Sequence, residues 1–250
     1  YTNNENYDSE YRVVGNDFFK KNRGRFVINI NGKDVGCGSK FQLIPGENKV
    51  KIKITSPIHD YSYMFDNCTN LTDIDGLLGW NVSKGTIFDY MFSGCISLVE
   101  LNGLKGWDVS NGRCFRSMFR GCGALKDING LKHWNVSSGE DFRCMFDQCN
   151  SLKNLNALEN WNVCKGKDFY AMFDRCYSLT DLDGLKQWDV SSGKDFINMF
   201  YGCKSIISVD GLYSWNVSNG ENFSEMFYNC YSLTDLDQLK KWKVQKGNNF

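Results

Sequence analysis

The chain has 250 residues, of which 42% are apolar and 15% aromatic, and its 29 basic residues balance 29 acidic ones to give zero formal net charge. This composition is typical of a folded protein and excludes disordered and collagen-like chains. The balanced charge excludes a strong electrostatic footprint for nucleic acid. No apolar stretch approaches the length of about eighteen residues that would predict direct membrane insertion.

The first part of the chain, residues 1–60, is predicted to form a polar N-terminal segment followed by a β-rich cap. From Arg25 the sequence RFVINI-NG-KDVG predicts a β-hairpin, because Asn-Gly is typical of two-residue hairpin turns. Residues 41–54, FQLI-PGEN-KVKIKI, predict a second hairpin. We expect this N-terminal β-hairpin cap to cover the open apolar end of the units that follow.

The rest of the chain, residues 61–250, repeats one 27-residue pattern seven times without insertion. Phe250 would begin an eighth unit. The period is shared by every methionine, every tryptophan and most of the cysteines: Met64, Met91, Met118, Met145, Met172, Met199 and Met226; Trp80, Trp107, Trp134, Trp161, Trp188, Trp215 and Trp242; and Cys68, Cys95, Cys122, Cys149, Cys176, Cys203 and Cys230.

Each unit combines two apolar patterns. Phe88, Met91, Phe92 and Cys95 have the spacing of one face of a short helix. The apolar residues that follow, from Leu98 to Val109, are spaced by three and then by two, which indicates short extended pieces separated by bends. One unit alone would expose too much apolar surface, so the sequence predicts an α/β repeat solenoid of seven units, each a short helix plus short parallel strands.

The units MF-x-x-C-x-S-L-x-x-L, followed by W-[ND]-V-S-x-G-x-x-F, resemble those of BspA-like leucine-rich-repeat surface proteins. The resemblance covers residues 61–250 and recurs seven times. It implies a right-handed leucine-rich-repeat coil that is extracellular or displayed on a cell or particle surface for adhesion or recognition. It implies no catalytic activity, and this chain is one residue longer than the usual pattern between its leucines.

Cysteine is the first candidate for chemistry. The cysteines that follow the 27-residue period occupy the position of a small buried apolar residue. Among the others, Cys114 and Cys144 lie on adjacent units and are the best candidates for one disulfide. There is no C-x-x-C motif and no Cys/His cluster, since His59 and His133 stand apart, so no zinc site is predicted.

Paired aspartates such as Asp73 and Asp75 have two interpretations. Oxygen ligands stacked along the repeats would suit calcium. The position of Asp75 alternates between Asp and Asn in the other units, which favours hydrogen bonds to local backbone instead. Without an isolated acid or a suitable histidine, we predict no catalytic residue, no metal and no cofactor.

N-x-[ST] sequons identify glycosylation candidates if the protein is secreted by a eukaryotic host. The alternative is that these asparagines cap local turns, because Asp replaces Asn at the same position in some units. The candidates are Asn70, Asn81, Asn135, Asn216 and Asn222.

The positions that vary between units should face solvent, and tyrosines accumulate there in the last three units. Tyr170, Tyr177, Tyr201, Tyr228 and Tyr231 form the predicted binding surface, because tyrosine combines a large apolar face with a hydrogen-bonding tip. The leading hypothesis is a non-enzymatic module for recognition or adhesion with a protein or glycan partner. The alternative is a structural subunit that self-assembles into a filament or coat through the ends or faces of its repeats.

Overall fold

The computed structural model describes residues 2–3, 10–36 and 38–247, so the expected start of an eighth unit at Phe250 lies outside the described residues. The N-terminal part consists of short strands and one short helix. Their bounds are β1 (Thr2–Asn3), β2 (Glu10–Arg12), α1 (Asn16–Lys21), β3 (Phe26–Ile30), β4 (Lys33–Gly36), β5 (Lys40–Gln42), β6 (Gly46–Glu47) and β7 (Val50–Ile54).

The hairpin predicted from Arg25 onwards is confirmed. Strands β3 and β4 pair antiparallel around Asn31 and Gly32, whose φ angles of 52° and 87° are those of a tight hairpin turn. The other edge of β3 pairs antiparallel with β7, which gives a three-stranded sheet in the order β4-β3-β7. Phe26, Ile28 and Ile30 of the central strand are buried.

The second predicted hairpin, over residues 41–54, is wrong. Strand β5 pairs with β2, β6 pairs with β1, and β7 pairs with β3. The cause is a local loop: Asn48 donates to the carbonyl oxygens of Ile44 and Gly46 at 2.9 and 3.0 Å and accepts from the Ile44 N–H at 3.1 Å. This loop directs β5 and β7 to different partners.

The N-terminal part lies against the first repeat. Val13, Val14 and Phe18 are fully buried, and the Gly15 N–H donates to the Met64 carbonyl oxygen at 2.9 Å. A Cβ at Gly15 would lie 1.8 Å from the Tyr63 carbonyl oxygen, so this approach requires glycine.

The repeats, counted here from Tyr61 as positions 1 to 27, each contain one short 3-10 helix. In six repeats a side-chain oxygen two residues before the helix accepts from the first N–H of the helix, as where Asp73 Oδ1 accepts from the Asp75 N–H at 2.7 Å. The 3-10 helices are Asp75–Leu77, Asn102–Leu104, Asn129–Leu131, Asn156–Leu158, Asp183–Leu185, Asp210–Leu212 and Asp237–Lys241.

The helix predicted over Phe88 to Cys95 is wrong, because this segment is a series of turns. Tyr90 and Gly94 have φ angles of 56° and 69°, which interrupt a right-handed helix every four residues. Alternate N–H groups leave the segment altogether: those of Tyr90 and Phe92 donate to carbonyl oxygens of the next repeat at 2.8 Å, and that of Phe88 donates to the carbonyl oxygen of Cys114, the last residue of its own repeat, at 2.9 Å. The Met91 N–H closes a local turn on Phe88 at 3.3 Å.

The predicted parallel pairing between units is present, but as single bridges and not as strands. At position 27 a continuous series of parallel bridges joins successive repeats, because only one residue per unit is extended there. The series runs Asp60, Ile87, Cys114, Asp141, Asp168, Asp195 and Asn222.

The core explains why the sequence repeats so strictly. Equivalent rings stack from repeat to repeat, with centroids 5.6 Å apart for Phe88 and Phe115 and 6.3 Å apart for Trp107 and Trp134. The Trp134 indole N–H donates to the Leu104 carbonyl oxygen at 3.0 Å. Such pairs satisfy buried backbone carbonyls, so tryptophan supplies a hydrogen bond as well as apolar area.

Candidate functional site

Two of the predicted surface tyrosines form a stack. Tyr201 and Tyr228 occupy position 6 of the last two repeats, and their ring centroids are 5.4 Å apart with an interplanar angle of 23°. Tyr228 is 56% exposed. The Arg175 guanidinium lies 5.5 Å from the Tyr201 centroid and forms an ion pair with Asp174 at 3.3 Å. The stack therefore presents aromatic faces beside a fixed cation.

Tyr177 and Tyr231, at position 9, lie beside this stack. The Lys204 ammonium is 4.7 Å from the Tyr177 ring centroid. Tyr177 passes over Gly202, where an added Cβ would lie 3.8 Å from the tyrosine Cε1. Tyr231 is 71% exposed and its hydroxyl donates to Asn229 Oδ1 at 3.0 Å. Four of the five predicted tyrosines thus share one area of the last three repeats.

Tyr170 belongs to a different environment. It lies at position 2 and is 37% exposed. Burial raises the pKa of the Tyr170 hydroxyl, and the charges of Cys144 and Asp174 raise it further. Tyr170 is therefore near an acidic cluster, and no ring contact joins it to the other predicted tyrosines among the described residues.

A second aromatic pair was missed by the sequence reasoning. Tyr63 and Tyr90, at position 3 of the first two repeats, stack with centroids 4.9 Å apart and almost parallel planes. Arg116 lies 5.4 Å from the Tyr90 centroid and pairs with Asp89 at 3.1 Å. The available signal was the same aromatic residue at one position in consecutive units.

Ion pairs occupy the repeats between these two aromatic areas. Arg120 pairs with Asp147 at 2.9 Å across adjacent repeats. Arg143 contacts two acids, Asp141 at 2.8 Å and Asp168 at 3.2 Å. Each cation has an acid beside it, so this face offers alternating charge and not a basic patch.

The predicted disulfide is not formed in the structure. Cys114 and Cys144 are both free, half-buried thiols. The parallel bridge of Cys114 to the next repeat ends on Asp141, three residues before Cys144. The cysteines at position 8 are buried, as expected, and Cys122 illustrates their role by donating its thiol to the Phe92 carbonyl oxygen at 3.2 Å. Burial raises the pKa of Cys122 to about 12.

The sequon asparagines also serve as turn caps. The Oδ1 atoms of Asn81, Asn135 and Asn216 accept from the N–H two residues later at 3.1 to 3.2 Å. Asn222 does the same for Ser224 at 3.2 Å and is half-buried, as is Asn70. These hydrogen bonds use the side-chain oxygen Oδ1, whereas a glycan would be attached to the side-chain nitrogen. Glycosylation of these asparagines therefore stays a prediction.

The acids outside the ion pairs bind local backbone. Asp181 and Asp235 accept from the N–H groups of Asp183 and Asp237, as Asp73 does for Asp75. Within the described ranges no group of three or more His, Cys, Asp or Glu residues is arranged to hold a metal ion. No helix of that part of the chain has the length and apolar character needed to cross a membrane.

Comparison with known proteins gives one family. The model of a family described as "Mycoplasma protein of unknown function, DUF285" matches residues 41–155 and again residues 140–250. None of the curated proteins matches this chain. None of the solved structures matches it either.

Proposed function

Since this chain belongs to the DUF285 family, whose description assigns no function, we propose from its surface that it is a non-enzymatic recognition or adhesion module. The observation that carries the proposal is the stack of the half-buried Tyr201 on the exposed Tyr228, with Arg175 against the Tyr201 ring. Tyrosine and arginine are among the side chains that interfaces favour, and both are enriched at the positions that contribute most to binding energy. The partner is a protein or a glycan on another cell or particle surface.

The proposed architecture is a right-handed leucine-rich-repeat solenoid of the BspA-like type. Support comes from the 27-residue period, the 3-10 helix in each unit and the parallel bridges between units. A stack of this kind holds surface residues at fixed spacing, which suits a binding face that extends over several repeats. Extracellular or surface display follows from that resemblance and belongs to the same proposal.

The test measures binding of the labelled chain to a printed glycan array and to cultured animal cells. The double substitution Tyr201→Ser and Tyr228→Ser removes the stack while leaving the core rings in place. We expect affinity for the probes that bind to fall about thirtyfold, since a central aromatic pair contributes about 2 kcal/mol to an interface.

Tyr213 provides the matched control. It is 44% exposed and lies in the same repeat as Tyr201, but at position 18 beside Lys241. Tyr213→Ser should leave binding unchanged. Equal affinity of the double variant and the wild type, with both folded by circular dichroism, would remove the tyrosine stack from the proposed function.

A further inference from the structure

A groove lies between strand β7 and the first repeat, at the other end of the molecule from the tyrosine stack. One section has a volume of about 840 Å³ and lies between Val50 to Ile52 on one side and Leu71 to Trp80 on the other. A second section of about 450 Å³ continues along Ile54 to Ile58. Ile52 and Trp80 line both sections, so the groove follows the whole length of β7.

One wall of the groove is formed by the first repeat. The equivalent surface of each later repeat is buried against the repeat that precedes it. In repeats 2 to 7 the tryptophan at position 20 donates its indole N–H to a leucine carbonyl of the preceding repeat, as Trp107 does to Leu77 at 2.9 Å. The glycine at position 16 lies against the same backbone: a Cβ on Gly103 would be 1.8 Å from the Ile74 carbonyl oxygen.

The first repeat has no preceding repeat, so these groups face the groove. Gly76 has no neighbouring atom within 4 Å of an added Cβ. The Trp80 indole N–H makes no hydrogen bond within the described residues, although six equivalent tryptophans do. The later repeats show which group satisfies such an indole, namely a backbone carbonyl oxygen of a neighbouring chain segment.

The opposite wall is the outer edge of strand β7, with which no other strand of the described residues pairs. The backbone N–H of Asn31 donates to the Lys49 carbonyl oxygen, and the backbone N–H of Thr55 donates to the Arg25 carbonyl oxygen. The backbone N–H and C=O groups of the odd-numbered residues of β7 therefore point toward β3. Because bonded pairs alternate along an antiparallel ladder, the backbone groups of Val50 and Ile52 point away from β3 into the groove. Such an edge accepts an additional strand.

The side chains of β7 define the chemistry of that strand. Val50, Ile52 and Ile54 pack against the core, whereas Lys51 and Lys53 are exposed on the other face. Side chains directly opposite each other on paired strands favour opposite charges and disfavour like charges. A second copy of β7 would therefore be repelled, and an acidic strand would be attracted.

We propose that this groove binds an extended peptide of a partner protein, with alternating apolar and acidic residues, as a fourth strand beside β7. Its backbone pairs with Val50 and Ile52, and one of its carbonyl oxygens accepts the Trp80 indole N–H. Its apolar side chains face the first repeat and its acidic side chains lie beside Lys51 and Lys53. Each of the two sections of the groove has a volume within the range of roughly 300 to 1,000 Å³ that is usual for ligand sites.

The test uses the whole chain and a fluorescein-labelled peptide of alternating glutamate and valine, titrated by fluorescence anisotropy. We expect saturable binding that a peptide with lysine in place of glutamate does not reproduce. N-methylation of alternate peptide residues should abolish binding, because it removes the strand hydrogen bonds. Hydrogen exchange should show new protection over residues 50–54 on binding.

Variants of both walls separate the two contacts. The double substitution Lys51→Glu and Lys53→Glu should weaken binding at least about tenfold and transfer preference to the lysine peptide. Trp80→Phe retains a ring and should weaken binding about threefold to tenfold, the usual effect of one hydrogen bond. Lys186→Glu, at an exposed lysine of the fifth repeat, should bind like the wild type.

Three results would overturn the proposal: no binding of the glutamate peptide at millimolar concentration, equal binding of the lysine peptide, or no added protection over residues 50–54. A dimer that forms through β7 and competes with the peptide would also overturn it. The Tyr201→Ser, Tyr228→Ser variant should retain peptide binding, so failure here is distinguishable from failure of the proposed recognition surface.

Discussion

Asp147 and Asp174 occupy the same position of consecutive repeats, and each leaves its Oδ1 atom buried without a hydrogen-bond partner. Their other oxygens contact Arg120 at 2.9 Å and Arg175 at 3.3 Å. The Asp147 charge raises the pKa of Asp174, which shows that the two carboxylates interact. A proton on one of them would satisfy part of this unpaired polar surface.

This arrangement predicts that the contribution of Asp174 to the stability falls as the pH rises. Burial, followed by the charge of Asp147, raises the pKa of Asp174 from 3.8 to about 6. The native state therefore binds a proton that the unfolded chain has already released between about pH 4 and pH 6. Asp174 should cost stability above pH 6, on the order of 2 kcal/mol, and this cost should disappear as the pH falls toward 4.

The measurement compares chemical unfolding of the wild type and Asp174→Asn at pH 7.5 and pH 4.5. We expect the variant to be the more stable protein at pH 7.5, with its advantage lost at pH 4.5. Asp183→Asn, at an exposed acid in the same repeat, is the matched control for a single change from aspartate to asparagine. A pH-independent difference for Asp174→Asn would contradict the assigned cause.

The indole hydrogen bonds predict a difference between two tryptophans. Trp134→Phe loses the bond to the Leu104 carbonyl oxygen at 3.0 Å and leaves a gap in a fully packed stack. We expect a loss of about 2 to 4 kcal/mol in the free energy of unfolding. Trp80→Phe removes no such bond within the described residues and should cost distinctly less. Equal losses in the free energy of unfolding for the two variants would mean that the tryptophan at position 20 stabilises the repeats through its buried ring area and not through its N–H.

The sequence predicted the repeat and its core, because identical buried positions are visible as identical letters at a fixed period. It did not predict the backbone between Phe88 and Cys95. Turns that recur every three or four residues place Phe88, Met91 and Phe92 on one side, just as a helix would. The second left-handed site of this repeat is a glycine, Gly94, but the first is held by Tyr90 here and by Ala171 in a later repeat, residues that carry no turn signal.

In the candidate site, the sequence predicted contacts between residues at the same position of consecutive repeats. It did not predict contacts between residues at different positions. Tyr201 and Tyr228 stack because both occupy position 6, which the sequence shows directly. The placement of Arg175 against Tyr201 depends on how far one repeat is displaced from the next. That displacement is set by the hydrogen bonds between units, which no single-residue pattern records.

A glycine substitution tests the close approach of the repeats. A Cβ at Gly130 would lie 1.8 Å from the Leu101 carbonyl oxygen, whereas one at Gly76 would meet nothing within 4 Å. Ala157 occupies the same position of the fourth repeat, so a local shift can accommodate a methyl group. We expect Gly130→Ala to lower the free energy of unfolding by about 1 to 3 kcal/mol.

Gly76→Ala serves as the matched control for that substitution. It should be neutral or stabilising by up to about 1 kcal/mol, since alanine restricts the unfolded chain and meets no obstacle here. Thermal and urea unfolding of both variants would measure the difference. Similar losses for the two variants would show that the preceding repeat does not set the requirement for glycine.

The cysteines predict a two-stage reaction with a maleimide. A thiol reacts as the thiolate, and burial raises the pKa of Cys122 to about 12 and that of Cys144 to about 11. In a Cys37→Ser background at pH 7.5, we expect the half-buried Cys164 and Cys114 to label in the native protein and Cys144 to label slowly. The cysteines at position 8 should label only after unfolding in guanidinium.

Mass spectrometry locates each label, and Cys164→Ser should remove one native label and no other. Native labelling of Cys122 at the rate of Cys164 would show that the stacked repeats open far more readily than their buried thiols and inter-repeat hydrogen bonds imply.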